Sequence, residues 1–351
     1  MDISYFMLIS LAAVARTMVG ENASVPALYV FGDSLVDSGN NDYWYTTIKA
    51  NFPHNGVDFP GGTPTGRWSN GYNTIDFLAA MLGFKSAPPP FLSPVKDTSQ
   101  GANFASGGSG ILDTTGPTTI PLRTQIKFFR SVAQNLRQQM GSQQASLHLS
   151  KSLFLISPGS NDMAAYYSGA IGPPNEKRKQ LYINTLIRKL ENHLKHLYHL
   201  GARKFWIQGL YCIGCSPSAR TKTPSGRCSK DANDMAKRFN AAVTQLLDHL
   251  SSTLVGMKYS HANVFNMMSA VLANPNAFGM KEVRSACCGG GMDNAQLHCT
   301  PTAYLCPNRK EYLFWDFVHP TQAMYNLVAL QSFHGSQTFA TPINLMQLAQ
   351  T

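Results

Sequence analysis

The chain has 351 residues, of which 44% are hydrophobic and only 14% are charged. This length and composition are sufficient for a substantial core, and they exclude global disorder. The formal net charge is +10, but the basic residues are scattered, without a basic–aromatic ladder or zinc-finger spacing, and so we expect no nucleic-acid partner.

The amino-terminal segment predicts secretion. Residues 3–15 are apolar but too few to span a bilayer, and Ala13-Val14-Ala15 is typical of a signal-peptide cleavage site, although Asp2 is the only charge before it. We therefore predict a signal peptide over residues 1–23 and a single domain over residues 24–351, without a transmembrane segment. Asn22 begins the only glycosylation sequon. We expect an extracellular, cell-wall protein, for which an acidic matrix such as pectin is a candidate partner.

The first predicted strand leads to a candidate nucleophile. Residues 27–31 form a continuous apolar run, which is typical of a strand buried on both faces. Gly32 allows a sharp turn, after which Asp33 and Ser34 lie beyond the carboxyl end of the strand, where α/β sheets form ligand crevices. Ser34 is a candidate nucleophile if the chain also supplies a base. An ordinary strand-to-loop turn is the alternative.

Two glycine-rich stretches follow. Residues 37–73 predict a long ordered loop that lacks the Gly-Lys-Ser/Thr ending of a phosphate-binding loop. After a helix over residues 74–82, the small residues of 101–110 favour either close backbone approach to a ligand or a flexible turn.

Strands and helices alternate through the rest of the chain. We predict strands over residues 152–157, 204–210 and 258–266, and helices over residues 122–140, 179–200, 232–254 and 322–333. This alternation implies a parallel sheet that is covered by helices on both faces.

The seven cysteines indicate disulfides in a secreted chain. Six can pair, and adjacent Cys287 and Cys288 are expected to reach different partners. Cys212 and Cys215 have the spacing of a zinc or redox pair, but no second such pair follows. His193, His196 and His199 recur beside an apolar helical stripe, for which we expect a solvated flank rather than a metal site. No metal or cofactor is indicated.

The last motif supplies a base. Asp316 and His319 lie three residues apart, so both side chains can face the same way. An aspartate that accepts the Nδ1 proton of an imidazole leaves Nε2 free to take a proton from a serine.

Four motifs in order resemble the plant GDSL esterase/lipases of the SGNH hydrolase superfamily. They are Phe31-Gly32-Asp33-Ser34, residues 103–108 (Asn-Phe-Ala-Ser-Gly-Gly), Gly159-Ser160-Asn161-Asp162, and Asp316 with His319. The resemblance extends from about Pro26 to Phe333. Trp68 stands where phenylalanine is usual, and Cys212 where proline is usual.

The resemblance implies a three-layer α/β/α sandwich with a mostly parallel, flavodoxin-like sheet. It implies that Ser34 is the nucleophile, His319 the base and Asp316 its orienting acid. The oxyanion hole would use the backbone N–H groups of Ser34 and Gly108, with Gly107 as the alternative, and the side chain of Asn161. Because Cys212 departs from the family pattern, the resemblance makes it the odd thiol and makes Cys215 with Cys228 the leading pair. The pairing of the last four cysteines stays open. They are Cys287, Cys288, Cys299 and Cys306.

The implied activity is hydrolysis of carboxylic esters through an acyl-enzyme. An acyltransferase that uses the same triad is the main alternative, and a non-catalytic cell-wall binding protein is another. The sequence does not identify the acyl chain or the alcohol of the substrate.

Overall fold

The computed structural model describes residues 23–95, 97–168 and 175–351. The predicted signal peptide, apart from residue 23, and the sequon residue Asn22 lie outside these ranges.

Ten strands lie within the described residues: β1 Leu28–Gly32, β2 Gly101–Asn103, β3 Leu153–Ser157, β4 Lys204–Gln208, β5 Lys258–Ala262, β6 Glu282–Ala286, β7 Cys288–Gly289, β8 Tyr304–Leu305, β9 Tyr312–Phe314 and β10 Ala340–Thr341. Ten α-helices accompany them: α1 Thr74–Met81, α2 Leu122–Met140, α3 Ser142–Lys151, α4 Ser160–Tyr167, α5 Glu176–Leu200, α6 Pro217–Thr221, α7 Lys230–Thr253, α8 Val264–Ala273, α9 Gln322–His334 and α10 Leu345–Gln350.

The main sheet has the order β10-β5-β4-β3-β1-β2. β1 to β5 pair in parallel, and β10 adds an antiparallel edge. The order of the first five strands is that of flavodoxin-like sheets. β1, β3 and β4 are buried along their whole length because helices cover both faces, which explains the run of consecutive apolar residues within each.

Helices form a layer on each side of this sheet. On one face α2, α5 and α7 pack in sequence, and on the other α1, α9 and α10 do so. Phe129 of α2 places its ring 4.9 Å from Tyr29 of β1 and 5.2 Å from Phe154 of β3, which anchors the first layer on the sheet. The predicted three-layer α/β/α sandwich is therefore confirmed.

Three local features differ from the predictions. The fourth predicted strand ends at Ala262, because the side chain of Asn263 accepts the N–H of Asn266 and begins α8 there. The stretch of residues 101–110, for which we expected either close backbone approach to a ligand or a flexible turn, begins with a strand that we did not predict, β2 over residues 101–103. Of the three histidines predicted on a solvated flank, His196 and His199 are exposed, but His193 is buried, with Nε2 3.3 Å from the carbonyl oxygen of Ile111.

None of the helices in the described ranges has the length and apolar character needed to cross a membrane.

Candidate active site

The end of β1 fixes the position of Ser34. Gly32 has a φ of +137°, and a Cβ atom there would lie 2.4 Å from the carbonyl oxygen of Ser157 on β3. The side chain of Gln125 accepts the N–H of Gly32 at 2.9 Å and donates to its carbonyl oxygen at 2.9 Å. Only glycine fits this position, and α2 holds it from the side, so Ser34 leaves the sheet in a defined direction.

Ser34 and His319 meet although 285 residues separate them in sequence. The hydroxyl oxygen of Ser34 lies 2.8 Å from Nε2 of His319. On the other side of the ring, Nδ1 lies 2.7 Å from Oδ2 of Asp316. All three side chains are buried. The structure therefore brings the three sequence-predicted residues together in the arrangement of a nucleophile, its base and an orienting acid.

The turn that carries Asp316 and His319 is closed by its own hydrogen bonds. Oδ1 of Asp316 accepts the backbone N–H groups of Val318 at 2.9 Å and His319 at 2.8 Å. Burial opposes ionisation of Asp316, but attraction to His319 and these hydrogen bonds hold the pKa of its carboxyl below the ordinary value. Asp316 is thus ready to stabilise a protonated imidazole.

The cysteine-rich segment supports this turn from outside. The N–H of Cys288 donates to the carbonyl oxygen of Trp315 at 2.7 Å, directly before Asp316. The indole N–H of Trp315 donates to Asn55 at 2.9 Å and ties the turn to the long loop of residues 37–73. Both contacts place the Asp316 backbone against elements distant in sequence.

Three predicted oxyanion donors lie around the same cavity, which is lined by Ser34, Gly108 and Asn161. Within the described residues, the backbone N–H groups of Ser34 and Gly108 have no acceptor, whereas the N–H of Gly107 donates to Oδ2 of Asp37 at 3.0 Å. The amide of Asn161 donates one hydrogen to the carbonyl oxygen of Ser109 at 2.9 Å, which leaves the other available. This geometry favours Gly108 over Gly107.

Comparison with known proteins assigns the family. The model of the family described as GDSL-like lipase/acylhydrolase matches residues 28–331. Two GDSL esterase/lipases of Arabidopsis thaliana are similar: At5g55050 is 39% identical, with 95% of this chain and 92% of the relative covered, and At1g71250 is 37% identical, with 94% and 91% covered. This chain belongs to the GDSL-like lipase/acylhydrolase family.

The predicted family is therefore confirmed, and this GDSL protein is a serine carboxylic ester hydrolase. Among solved structures, an acetylxylan esterase from Geobacillus stearothermophilus, Axe2, superposes with a TM-score of 0.39 at 14% identity, covering 89% of this chain and 93% of that one.

Trp68 and Asp33 lie beside the predicted triad of this GDSL protein, although the motifs assigned no role to either residue. The ring of Trp68 lies 5.0 Å from that of His319, and a Cβ atom on Gly107 would come 2.5 Å from its indole nitrogen. Gly107 thus makes room for an indole where the family usually has phenylalanine.

Asp33 is buried, and burial raises its pKa to about 7 despite the N–H of Leu35 that it accepts. Its raised pKa is a consequence of folding that its sequence neighbours do not reveal.

The cavity in front of Ser34 has a volume of about 740 Å³. Apolar side chains form much of its wall, among them Ile48, Phe52, Met163, Tyr167, Ile213 and Phe317. Such a wall suits the hydrocarbon part of an ester, while the polar groups around Ser34 suit the reacting carboxyl group.

The cysteines pair in three bonds within the described residues: Cys215–Cys228, Cys287–Cys306 and Cys288–Cys299. The thiol of Cys212 is free and buried. No cluster of histidine, cysteine and acidic side chains within the described ranges can hold a metal ion.

Proposed function

We propose that Ser34, His319 and Asp316 form the catalytic triad of this ester hydrolase, with Ser34, Gly108 and Asn161 as its oxyanion donors. The observation that carries the proposal is the continuous hydrogen-bonded series from the Ser34 hydroxyl through the His319 imidazole to the Asp316 carboxylate, at 2.8 Å and 2.7 Å.

Acylation begins when Ser34 attacks the ester carbonyl and Nε2 of His319 takes the hydroxyl proton. Negative charge develops on the carbonyl oxygen, where the two backbone N–H groups and the Asn161 amide donate to it. Asp316, held ionised, stabilises the imidazolium. His319 then returns the proton to the leaving alcohol, and the acyl group stays on Ser34.

Water completes hydrolysis when His319 removes its proton and the acyl-enzyme is cleaved. An alcohol in place of water gives acyl transfer with the same residues. Product analysis with added hydroxylated acceptors separates the two reactions, because transfer yields a new ester and hydrolysis yields the free acid.

We also propose that the protein is secreted, with residues 1–23 as the signal peptide and residues 24–351 as one catalytic domain. The three disulfides support an oxidising compartment. The net charge of +10 supports retention on an acidic cell-wall matrix. Elution of the bound protein by rising salt is the expected result, since added ions screen such attraction. Salt-insensitive retention would contradict it.

The test of the triad is a panel of 4-nitrophenyl esters assayed with the parent and with Ser34→Ala. We expect the variant to keep its fold, checked by circular dichroism, and to lose turnover by about 10⁴-fold or more. Equal rates for the two proteins would contradict the assignment of Ser34.

A further inference from the structure

The cavity wall has one cation without a partner among the described residues. Apart from the proposed triad residue Asp316, the charged side chains that line the cavity are Lys49 and Lys222. The ammonium of Lys49 donates to the carbonyl oxygen of Trp44 at 2.9 Å and to that of Asn41. Lys222 is exposed, and its ammonium has no hydrogen bond or ion pair with any residue in the described ranges. Its charge is therefore available to a bound ligand.

Lys222 follows α6 in a segment whose charged residues are all basic. Residues 217–230, which we call the basic loop, carry Arg220, Lys222, Arg227 and Lys230 and no acidic residue. The Cys215–Cys228 disulfide closes most of this loop. In addition, Nε of Arg220 donates to the carbonyl oxygen of Cys215 at 3.0 Å. The loop thus presents Lys222 at the cavity wall from a fixed backbone.

The acidic residues next to the basic loop do not neutralise it. The carboxylate of Asp231 contacts the Lys179 ammonium and accepts the hydroxyl of Tyr167 at 2.8 Å. The carboxylate of Asp293 pairs with Arg284 at 2.9 Å. Both are engaged with other cationic side chains, and neither pairs with Lys222.

Lys222 and Ser34 line the same cavity. Ser34, Asn161 and Tyr211 follow β1, β3 and β4, which are neighbours in the sheet. The basic loop follows Tyr211 in sequence, and the backbone N–H of its residue Ser218 donates to the carbonyl oxygen of Phe317 at 2.9 Å. Met163 and Tyr167 line the same cavity as Ser34 and Lys222, so a ligand that fills it contacts apolar side chains as well as the ammonium.

We propose that this cavity selects esters whose acyl chain ends in a carboxylate, with Lys222 as the specificity-determining residue. The inference rests on the proposed function. His319 must stand beside the leaving alcohol to protonate it, and we assign the acyl chain to the wall formed by α4. Met163 and Tyr167 line the cavity there, and the Tyr167 hydroxyl donates to Asp231, directly after the basic loop. Hydrolysis of such an ester releases a dicarboxylic acid and the alcohol, with water as the co-reactant.

The matched test uses 4-nitrophenyl hydrogen suberate and its methyl ester, which have the same chain but differ in the remote charge. We expect the parent to favour the charged ester in kcat/KM by about twofold to fivefold at low salt, the range of an exposed ion pair. This preference should decrease as salt is added, because ions screen an exposed charge.

Substitutions of Lys222 test whether this residue causes the preference for the charged ester. Lys222→Met should abolish it, while Lys222→Arg should retain it because the positive charge remains. Lys189→Met is the control, since it removes one charge from the exposed face of α5, away from the cavity lining. Equal rates of the parent on both esters, or an unchanged preference in Lys222→Met, would overturn the inference while hydrolysis itself stands. A folded parent that cleaves neither ester would overturn the proposed function and this inference with it.

Discussion

Asp33 provides a test of the electrostatics beside the proposed nucleophile. Burial raises the pKa of this carboxyl from 3.8 to about 7, although the N–H of Leu35, the charge of His319 and the Ser160 hydroxyl favour its ionised form. Between these two pH values the folded protein keeps a proton on Asp33 that the unfolded chain has lost, so stability decreases as the pH rises. Each pKa unit corresponds to about 1.4 kcal/mol, so the shift of the Asp33 pKa lowers the free energy of unfolding by about 4 kcal/mol at pH 8.

Asp33→Asn removes this cost. The amide oxygen can still accept the N–H of Leu35, which Asp33 accepts at 3.0 Å, and the NH₂ group can donate to the oxygen of the Ser160 hydroxyl. We expect the free energy of unfolding to rise by up to about 4 kcal/mol at pH 8 and to change by less than about 1 kcal/mol near pH 4. Urea unfolding followed by tryptophan fluorescence, with the disulfides intact, measures both values.

Asp37→Asn is the matched control. Burial also raises the pKa of Asp37, to about 6, but its Oδ2 accepts the N–H of Gly107 at 3.0 Å. An amide has one acceptor oxygen fewer, so in this variant the buried N–H of Gly107 loses its acceptor, which lowers the free energy of unfolding by about 1–3 kcal/mol. The net gain in stability at pH 8 is therefore smaller than for Asp33→Asn. A stability difference for Asp33→Asn that is the same at both pH values, or a loss at pH 8, would refute the reasoning.

Three further predictions concern the site. Asn161→Ala should lower kcat by about 100- to 1000-fold with little change in thermal midpoint, and an unchanged kcat would exclude the amide as a donor. Trp68→Leu should lower kcat by up to about fivefold because it removes the aromatic face beside the His319 imidazolium, whereas Trp68→Phe should retain most of the rate. The double substitution of Cys288 and Cys299 by serine should cost about 3 kcal/mol in urea unfolding and also lower kcat, since the Cys288 backbone supports the turn before Asp316. Full activity in that variant would show that the turn stands without the disulfide.

The sequence predicted β1, β3 and β4 well because each is buried on both faces and contains a run of apolar residues. It failed for β2, whose residues Gly101, Ala102 and Asn103 carry no apolar pattern. A Cβ atom on Gly101 would lie 1.9 Å from the carbonyl oxygen of Leu28, so close approach to β1 selects small residues there. The boundary at Ala262 was missed because the cap of Asn263 competes with a β-rich sequence.

The motifs identified the residues that meet at the site, because their chemistry restricts the choice of side chain. They gave Gly108 as the donor with Gly107 as the alternative, and the hydrogen bond from the Gly107 N–H to Asp37 now distinguishes the two N–H groups. The contact of Trp68 with His319 joins residues that are far apart in sequence, and the raised pKa of Asp33 depends on burial. Neither property is encoded in a local pattern.

Labelling with a fluorophosphonate tests the central claim most directly, because this reagent reacts with a serine that a neighbouring base activates. We predict one adduct on the tryptic peptide that contains Ser34, found by mass spectrometry, and no adduct in Ser34→Ala. A folded parent that is not labelled, or that is labelled on another serine while Ser34→Ala reacts equally, would contradict the account and favour a non-catalytic binding protein or a different nucleophile.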